Sequence, residues 1–292
     1  MPARPDVLSE YRRAGQASAD AALTGVRPGQ LPPLDPTGAA FFDVDNTIMR
    51  GASLFHFAVG LARHHFFSGR EILGFATKQM KFVLSGSEDL EDMASATEAA
   101  LSFVEGRRVD DLLALAEDIF DEALTDKLIP GTLALAQGHL DAGQQVWLVT
   151  ATPVELAQLI ARRLGLTGAL GTVAEVQDGV YTGRLLGSPL HGLAKAEAIR
   201  ALAQREGLDL ARCSAYSDSS NDIPMLSTVG TAVAVNPDST LRAHARDNGW
   251  HVRDFRRREQ VKRVALPALA GAGGVAVGMA IGYAAAKRSR LV

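Results

Sequence analysis

Phe41-Phe42-Asp43-Val44-Asp45-Asn46-Thr47 closes an apolar run, begun at Ala39, with two carboxylates and a hydroxyl at alternate positions. Alternate side chains of an extended chain share a face, so Asp43 and Asp45 can address one reacting centre. The run Ala39 to Asp45 reads as a buried strand. A strand ending in such a pair suits a metal-assisted reaction in which one carboxylate attacks and the other moves a proton.

Beyond this stretch the chain changes period. Residues 48 to 127 read as almost wholly helical: Leu54-Phe55-Phe57-Ala58-Leu61-Ala62 and Leu112-Leu113-Leu115-Ala116-Ile119-Phe120 show helical apolar spacing. After Pro130-Gly131 helices and strands alternate. Helices are expected over 132–142, 153–164 and 194–206, with strands over 146–150, 213–217 and 233–235. Val173 to Val176 and Val180 to Arg184 flank Gln177-Asp178-Gly179, a hairpin-like turn. Strands alternating with helices imply an α/β fold, a doubly wound, Rossmann-like parallel sheet with helices on both faces. Ligands of such sheets bind beyond the carboxyl ends of the strands, where Asp43, Thr150 and Asp218 are expected to fall.

Composition narrows the class. A chain of 292 residues, 47% hydrophobic and 22% charged, is long enough for an ample core. A net charge of −3 argues against a general nucleic-acid binder, which leaves a basic footprint. The lone Cys213 cannot form an internal disulfide and reads as an inert core thiol in a reducing compartment. Residues 1–38 contain no continuous apolar core of a signal peptide and end in a proline-rich stretch. They read as an extension or linker, with one short helix around Leu8 to Leu23.

Four elements stand in order: Asp43-x-Asp45-x-Thr47, Thr150, Lys195, and Asp218-Ser219-Ser220-Asn221-Asp222. Singly each has a plainer reading. Strand-end aspartates are often helix caps or turn formers, and the last element could be a polar loop capping a helix at Ile223. Together they resemble the haloacid dehalogenase superfamily of phosphatases, in its phosphoserine-phosphatase-like branch, over about residues 39 to 250. The resemblance implies a catalytic core at 39–48 and 128–250, and an all-helical cap at 49–127 inserted after the first strand. It implies Asp43 as nucleophile, forming an aspartyl-phosphate, and Asp45 as the acid that protonates the leaving oxygen and then deprotonates water. Mg²⁺ is the expected cofactor, because the ligands offered are hard oxygens and no Cys or His cluster is present. By resemblance Asp43 and Asp218 hold the metal through side chains and Asp45 through its carbonyl, while Asp222 holds a metal-bound water or orients Lys195. Thr47, Thr150, Ala151, Lys195 and Asn221 would then contact the phosphoryl group or substrate.

The substrate is a departure from that branch. Its phosphoserine phosphatases carry a Glu nine residues after the nucleophile, for the amino group of serine; here that position is Ala52. Their cap Arg has no counterpart in Met93-Ala94-Ser95-Ala96-Thr97-Glu98-Ala99-Ala100. A site that loses both charge partners points to another small or lipid-like phosphate ester, with phosphoserine second. Phe55, Phe57, Phe66 and Phe67, interspersed with His56, His64, His65, Lys78 and Lys81, read as cap core or as an apolar route for a bulky ester. A phosphotransferase, or a non-catalytic membrane-associated scaffold, stays open beside hydrolysis.

Val264 to Ala286 is 23 residues without a charge, enough to cross a hydrocarbon core of roughly 30 Å at about 1.5 Å per residue. Gly274, Gly278 and Gly282 form a small-residue stripe. A basic linker at 251–263 precedes it and a basic tail at 287–292 follows, which favours anionic headgroups and a cytoplasmic catalytic domain. Because 14 of the 23 are Gly or Ala, the drive to insert is thin, and a membrane-associated tail competes with a flexible one or a helix packed on the core. Oligomeric state is left open.

Overall fold

The structure is a computed structural model, in which residues 5–24, 35–64, 66 and 104–256 are described. A main unit spans Met1–Val252; of the second, Arg253–Val292, only the first residues fall within the described set.

The core of the main unit is a six-stranded sheet. Its first strand, β1 (Ala39–Phe42), has all four residues buried, so its apolar run faces helices on both sides. β2 (Gln145–Pro153) and β3 (Gly168–Thr172) follow on one side of β1. β6 (Ser214–Ser217), β7 (Thr231–Val235) and β8 (His251–Arg253) lie on the other, giving the order β3-β2-β1-β6-β7-β8. The pairings β1–β2, β1–β6, β2–β3 and β6–β7 are all parallel. Strand order therefore reverses between β1 and β6, the point at which such a sheet opens a crevice at its carboxyl edge. Asp43 and Asp218 are the first residues past those two strands.

Between β3 and β6 the chain forms an antiparallel hairpin, β4 (Ala174–Gln177) and β5 (Val180–Leu185). Asp178 and Gly179 take φ of +52° and +77°, the consecutive left-handed residues that a tight two-residue turn requires.

The α-helices among the described residues are α1 (Pro5–Thr24), α2 (Ser53–Arg63), α3 (Val109–Ile119), α4 (Pro130–Asp141), α5 (Val154–Arg163), α6 (Leu193–Glu206), α7 (Ile223–Leu226) and α8 (Ser239–Asp247). α2 and α3 come from the stretch read as cap, whose residues 67–103 lie outside the described residues. Gly60 of α2 faces Ile119, whose side chain occupies the space a Cβ would need. The aromatic set splits: Phe57 is buried, Phe55 is exposed, and the Arg107 guanidinium lies 4.9 Å from the Phe66 ring centre. His56 meets the Arg50 carbonyl at 3.1 Å and His64 meets Glu122 at 3.1 Å. Phe67, His65, Lys78 and Lys81 lie outside the described residues.

Three elements differ in extent from the sequence reading. β2 runs on past Thr150, with an irregular register towards β3 between Val149 and Pro153. Cys213 is buried but precedes β6. The strand β3, Gly-Ala-Leu-Gly-Thr, gives no β-branched signal until its last residue; Trp147 of β2 closes over Gly168, where a Cβ would lie 2.5 Å from the indole.

α1 is joined to the core rather than set apart from it. Ala14, Ala19 and Ala22 belong to the same buried cluster as Ala194, Ala198 and Leu202 of α6. The contact is made by small residues, so the helices approach closely: a Cβ on Gly15 would lie 2.7 Å from the Ala198 backbone nitrogen. Small residues give little hydrophobic contrast, which is why the segment reads as a linker from sequence. Gly15→Leu is expected to destabilise the protein by about 1–3 kcal/mol through overpacking at this crossing. A lowered urea midpoint at unchanged slope would register it; an unchanged midpoint would remove the close approach.

Candidate active site

The nucleus of the site is a buried triad of charges. Lys195, in the first turn of α6, donates from Nζ to Asp43 Oδ1 at 2.6 Å and to Asp222 Oδ2 at 2.8 Å. Lys195 and Asp222 are 4% and 2% exposed, and Asp43 is 5%, so the three charges are compared outside water. Gly192, just before the helix, has φ of +53°, and its Cβ position lies 3.6 Å from the Asn221 carbonyl. The left-handed turn thus sets the start of α6 against the loop after β6. Ser217 Oγ donates to Asp222 Oδ2 at 2.7 Å, while Asp222 Oδ1 is buried without a hydrogen-bond partner.

The acids differ in surroundings. Burial pushes the Asp43 carboxyl up; the Lys195 ammonium opposes this and the Asp222 carboxylate adds to it. Burial works against the charge on Lys195, but Asp43 and Asp222 outweigh it and hold the ammonium above its ordinary value. Asp218 is raised to about 6, by burial first, against a hydrogen bond from Thr47. That bond runs from Thr47 Oγ1 to Asp218 Oδ1 at 3.2 Å, so the Thr47 hydroxyl serves a carboxylate. Asp45 is half-buried and stands apart from Lys195 in its bonding: its Oδ1 accepts the Ser53 N–H at 2.8 Å and the Ser53 hydroxyl at 2.6 Å.

The remaining candidates fall around this nucleus. Thr150 is buried in β2; its Oγ1 donates to Thr152 Oγ1 and accepts from the Thr152 N–H, each at 3.2 Å. Ala151 is half-buried, with its carbonyl taken by Thr172 Oγ1 at 2.6 Å. Asn221 is exposed on a short turn, its N–H bonded to Ser219 Oγ at 3.2 Å. Asp238 stabilises that loop from outside, accepting the Ser220 N–H at 2.7 Å and capping α8 through Leu241.

Sequence reading passed over Ser53, Thr152, Ser217 and His191. Thr152 carried a signal, since it shares a strand face with Thr150. His191 is half-buried; its imidazole is held below its usual value by burial, then by Lys195, against Asp222. A histidine before a glycine in a loop carries no sequence signal of such a neighbourhood.

The donor set suits a hard divalent cation. Two carboxylates, Asp43 and Asp222, hold a single ammonium, Asp218 adds a third acid held by Thr47, and one Asp222 oxygen lacks a partner. Among the described residues no three acid, imidazole or thiol side chains form a ready metal cage.

Comparison with known proteins agrees with this fold. A family model described as haloacid dehalogenase-like hydrolase matches residues 40–227. Phosphoserine phosphatase SerB1 of Mycobacterium tuberculosis is 59% identical over 252 residues, covering 85% of this chain and 82% of that protein. A crystal structure of a protein of unknown function from Bordetella pertussis is similar with a TM-score of 0.66 at 31% identity, over 75% of this chain and 98% of that one. An apo phosphoserine phosphatase structure shares the fold, with a TM-score of 0.51 at 18% identity, over 78% of this chain and 98% of that one. The chain belongs to the haloacid dehalogenase-like hydrolase family.

Asp218 sets a pH dependence. Its folded value of about 6 lies above that of the unfolded chain, about 3.9. The cation-free protein therefore binds this proton more tightly than the unfolded chain does, a stabilisation present at low pH and lost as pH rises through about 6. A cation competes with the proton. In thermal unfolding, Mg²⁺ is expected to raise the midpoint more at pH 7 than at pH 5. An equal rise at both would remove Asp218 from the cation site.

Proposed function

We propose that the protein is a Mg²⁺-dependent phosphomonoesterase working through an aspartyl-phosphate on Asp43. The observation that carries this reading is the contrast between the two acids. Asp43 is paired with a buried ammonium at 2.6 Å, whereas Asp45 is held by neutral donors from Ser53. One is suited to attack and the other to exchange a proton.

An Asp43 oxygen attacks phosphorus as the ester P–O bond breaks, and Asp45 gives its proton to the departing oxygen. Water then attacks the phosphoryl group, Asp45 takes the proton back, and Asp43 is released as a carboxylate. Lys195, the Thr150 hydroxyl, the Ala151 amide and Asn221 would orient the phosphoryl oxygens, which requires Thr150 to turn from Thr152. Thr47 would act by holding Asp218. Mg²⁺ would be held by Asp43, Asp218 and the Asp45 carbonyl, with Asp222 behind, and would neutralise charge on the phosphoryl oxygens.

Two substrate readings rest on different observations. Phosphoserine is favoured by the relative named phosphoserine phosphatase SerB1, 59% identical over most of both chains. A bulkier, apolar ester is favoured by Ala52, which offers no charge for an amino group, and by exposed Phe55 and Leu54 on the next turn. Asp43→Asn is expected to lower turnover of either by at least about 10³-fold, as for loss of a nucleophile. Assaying phosphoserine, glycerol phosphate and lysophospholipid phosphates, with Mg²⁺ and with chelator, separates the readings. Undiminished turnover by Asp43→Asn would overturn the mechanism.

No helix among the described residues is long and apolar enough to cross a membrane. The segment 264–286 lies outside them. Its lack of charge and its basic flanks support a membrane-associated tail. Removing residues 264–292 should move the protein from the membrane fraction of cells to the supernatant; identical partition of both forms would dismiss the tail as an anchor.

A further inference from the structure

One oxygen of Asp45 takes both hydrogen-bond donors of a single residue. Ser53 is fully buried at the start of α2, and both its N–H and its hydroxyl point at Asp45 Oδ1, at 2.8 and 2.6 Å. The Ser53 hydroxyl donates its one proton to Asp45 Oδ1. The 2.6 Å contact between Ser53 Oγ and Thr152 Oγ1 is then donated by Thr152, and Thr150 donates to Thr152 in turn. Proton direction is thus set along Thr150, Thr152, Ser53 and Asp45. Each bond in such a chain polarises the next.

The turn that delivers Ser53 is itself pinned. Asn46 stands at φ of +57°, and its side-chain oxygen accepts the Gly51 N–H at 2.9 Å. Asp45 Oδ1 is therefore tied down by two donors from one residue, which leaves Oδ2 as the oxygen able to meet a substrate.

We propose that Ser53 is the positioning residue for the acid–base carboxylate. It fixes the Asp45 rotamer, reserves Oδ2 for proton exchange with the leaving oxygen, and couples that carboxylate to the start of α2 and to Thr150. The inference rests on the acid–base reading of Asp45 given above. A serine that merely capped the helix would lower stability and affect all substrates alike.

Leaving groups separate these roles. An aliphatic alkoxide must be protonated as it departs, whereas p-nitrophenolate leaves without a proton. The measurement is kcat/KM of the full-length protein with Mg²⁺ on p-nitrophenyl phosphate and on the faster of phosphoserine and glycerol phosphate. Ser53→Ala is expected to lose about 10–100-fold on the aliphatic ester, and under about threefold on the aryl ester, because general acid catalysis is worth about 10²–10⁴-fold. Ser53→Thr should restore the ratio of the two values. An unchanged ratio in Ser53→Ala would overturn the proposal. Should Ser53→Ala fail to fold, Thr152→Val removes the hydroxyl behind Ser53; a shift of the ratio in the same direction supports the proposal, and an unchanged ratio overturns it. Asp45→Asn is the reference. If it shows no leaving-group dependence, the acid–base reading of Asp45 fails; if it does and the Ser53 ratio does not move, only the role of Ser53 fails.

Discussion

The buried ammonium of Lys195 between Asp43 and Asp222 is the constraint around which the structure is arranged. Removing a charge from water is costly, and an unpaired one in the interior costs several kcal/mol, of the order of 3–5. Lys195 has two carboxylates within 2.8 Å, so its charge is compensated twice over. The three residues come from the end of β1, the first turn of α6 and the loop after β6, far apart in the chain. Only a sheet that places β1 beside β6 and lays α6 over their carboxyl edge lets them meet. The fold and the charge cluster require each other.

That cluster is not neutral by itself. Asp218 lies close by and is half-buried, its oxygen supported by Thr47 rather than by a cation of the chain. Excess negative charge at the carboxyl edge is a liability for an empty protein and an advantage for one that takes a divalent ion and a phosphate together. Burial is the main cause that raises the Asp218 carboxyl to about 6, and the charge of Asp222 adds a smaller push.

Asp45 lies two residues from Asp43 yet has a different environment, and the cause is local. The chain leaves β1, turns through Asn46 and Gly51 with left-handed backbone at both, and brings the start of α2 back onto Asp45. One acid is thereby directed to charges in the core, and the other to hydroxyl and amide donors. The proposed roles of Asp43 as nucleophile and Asp45 as acid–base group rest on the difference this turn makes.

The amino-acid sequence alone determined the parallel α/β sheet, the hairpin at Asp178-Gly179 and the carboxyl-edge location of Asp43 and Asp218. Strand and helix periods, turn residues and a short carboxylate motif are local signals that survive without knowledge of neighbours. β3 and the packing of α1 were hidden, because alanine and glycine contacts gain their energy from close approach and leave little hydrophobic contrast to read. The tertiary structure alone decided that Thr47 serves Asp218, that Thr150 is tied to Thr152, and that Ser53 holds Asp45. A hydroxyl has no preferred partner until folding brings one within hydrogen-bond distance; with separations of 171 residues for Thr47–Asp218 and 99 for Ser53–Thr152, spacing along the chain carries no trace of it.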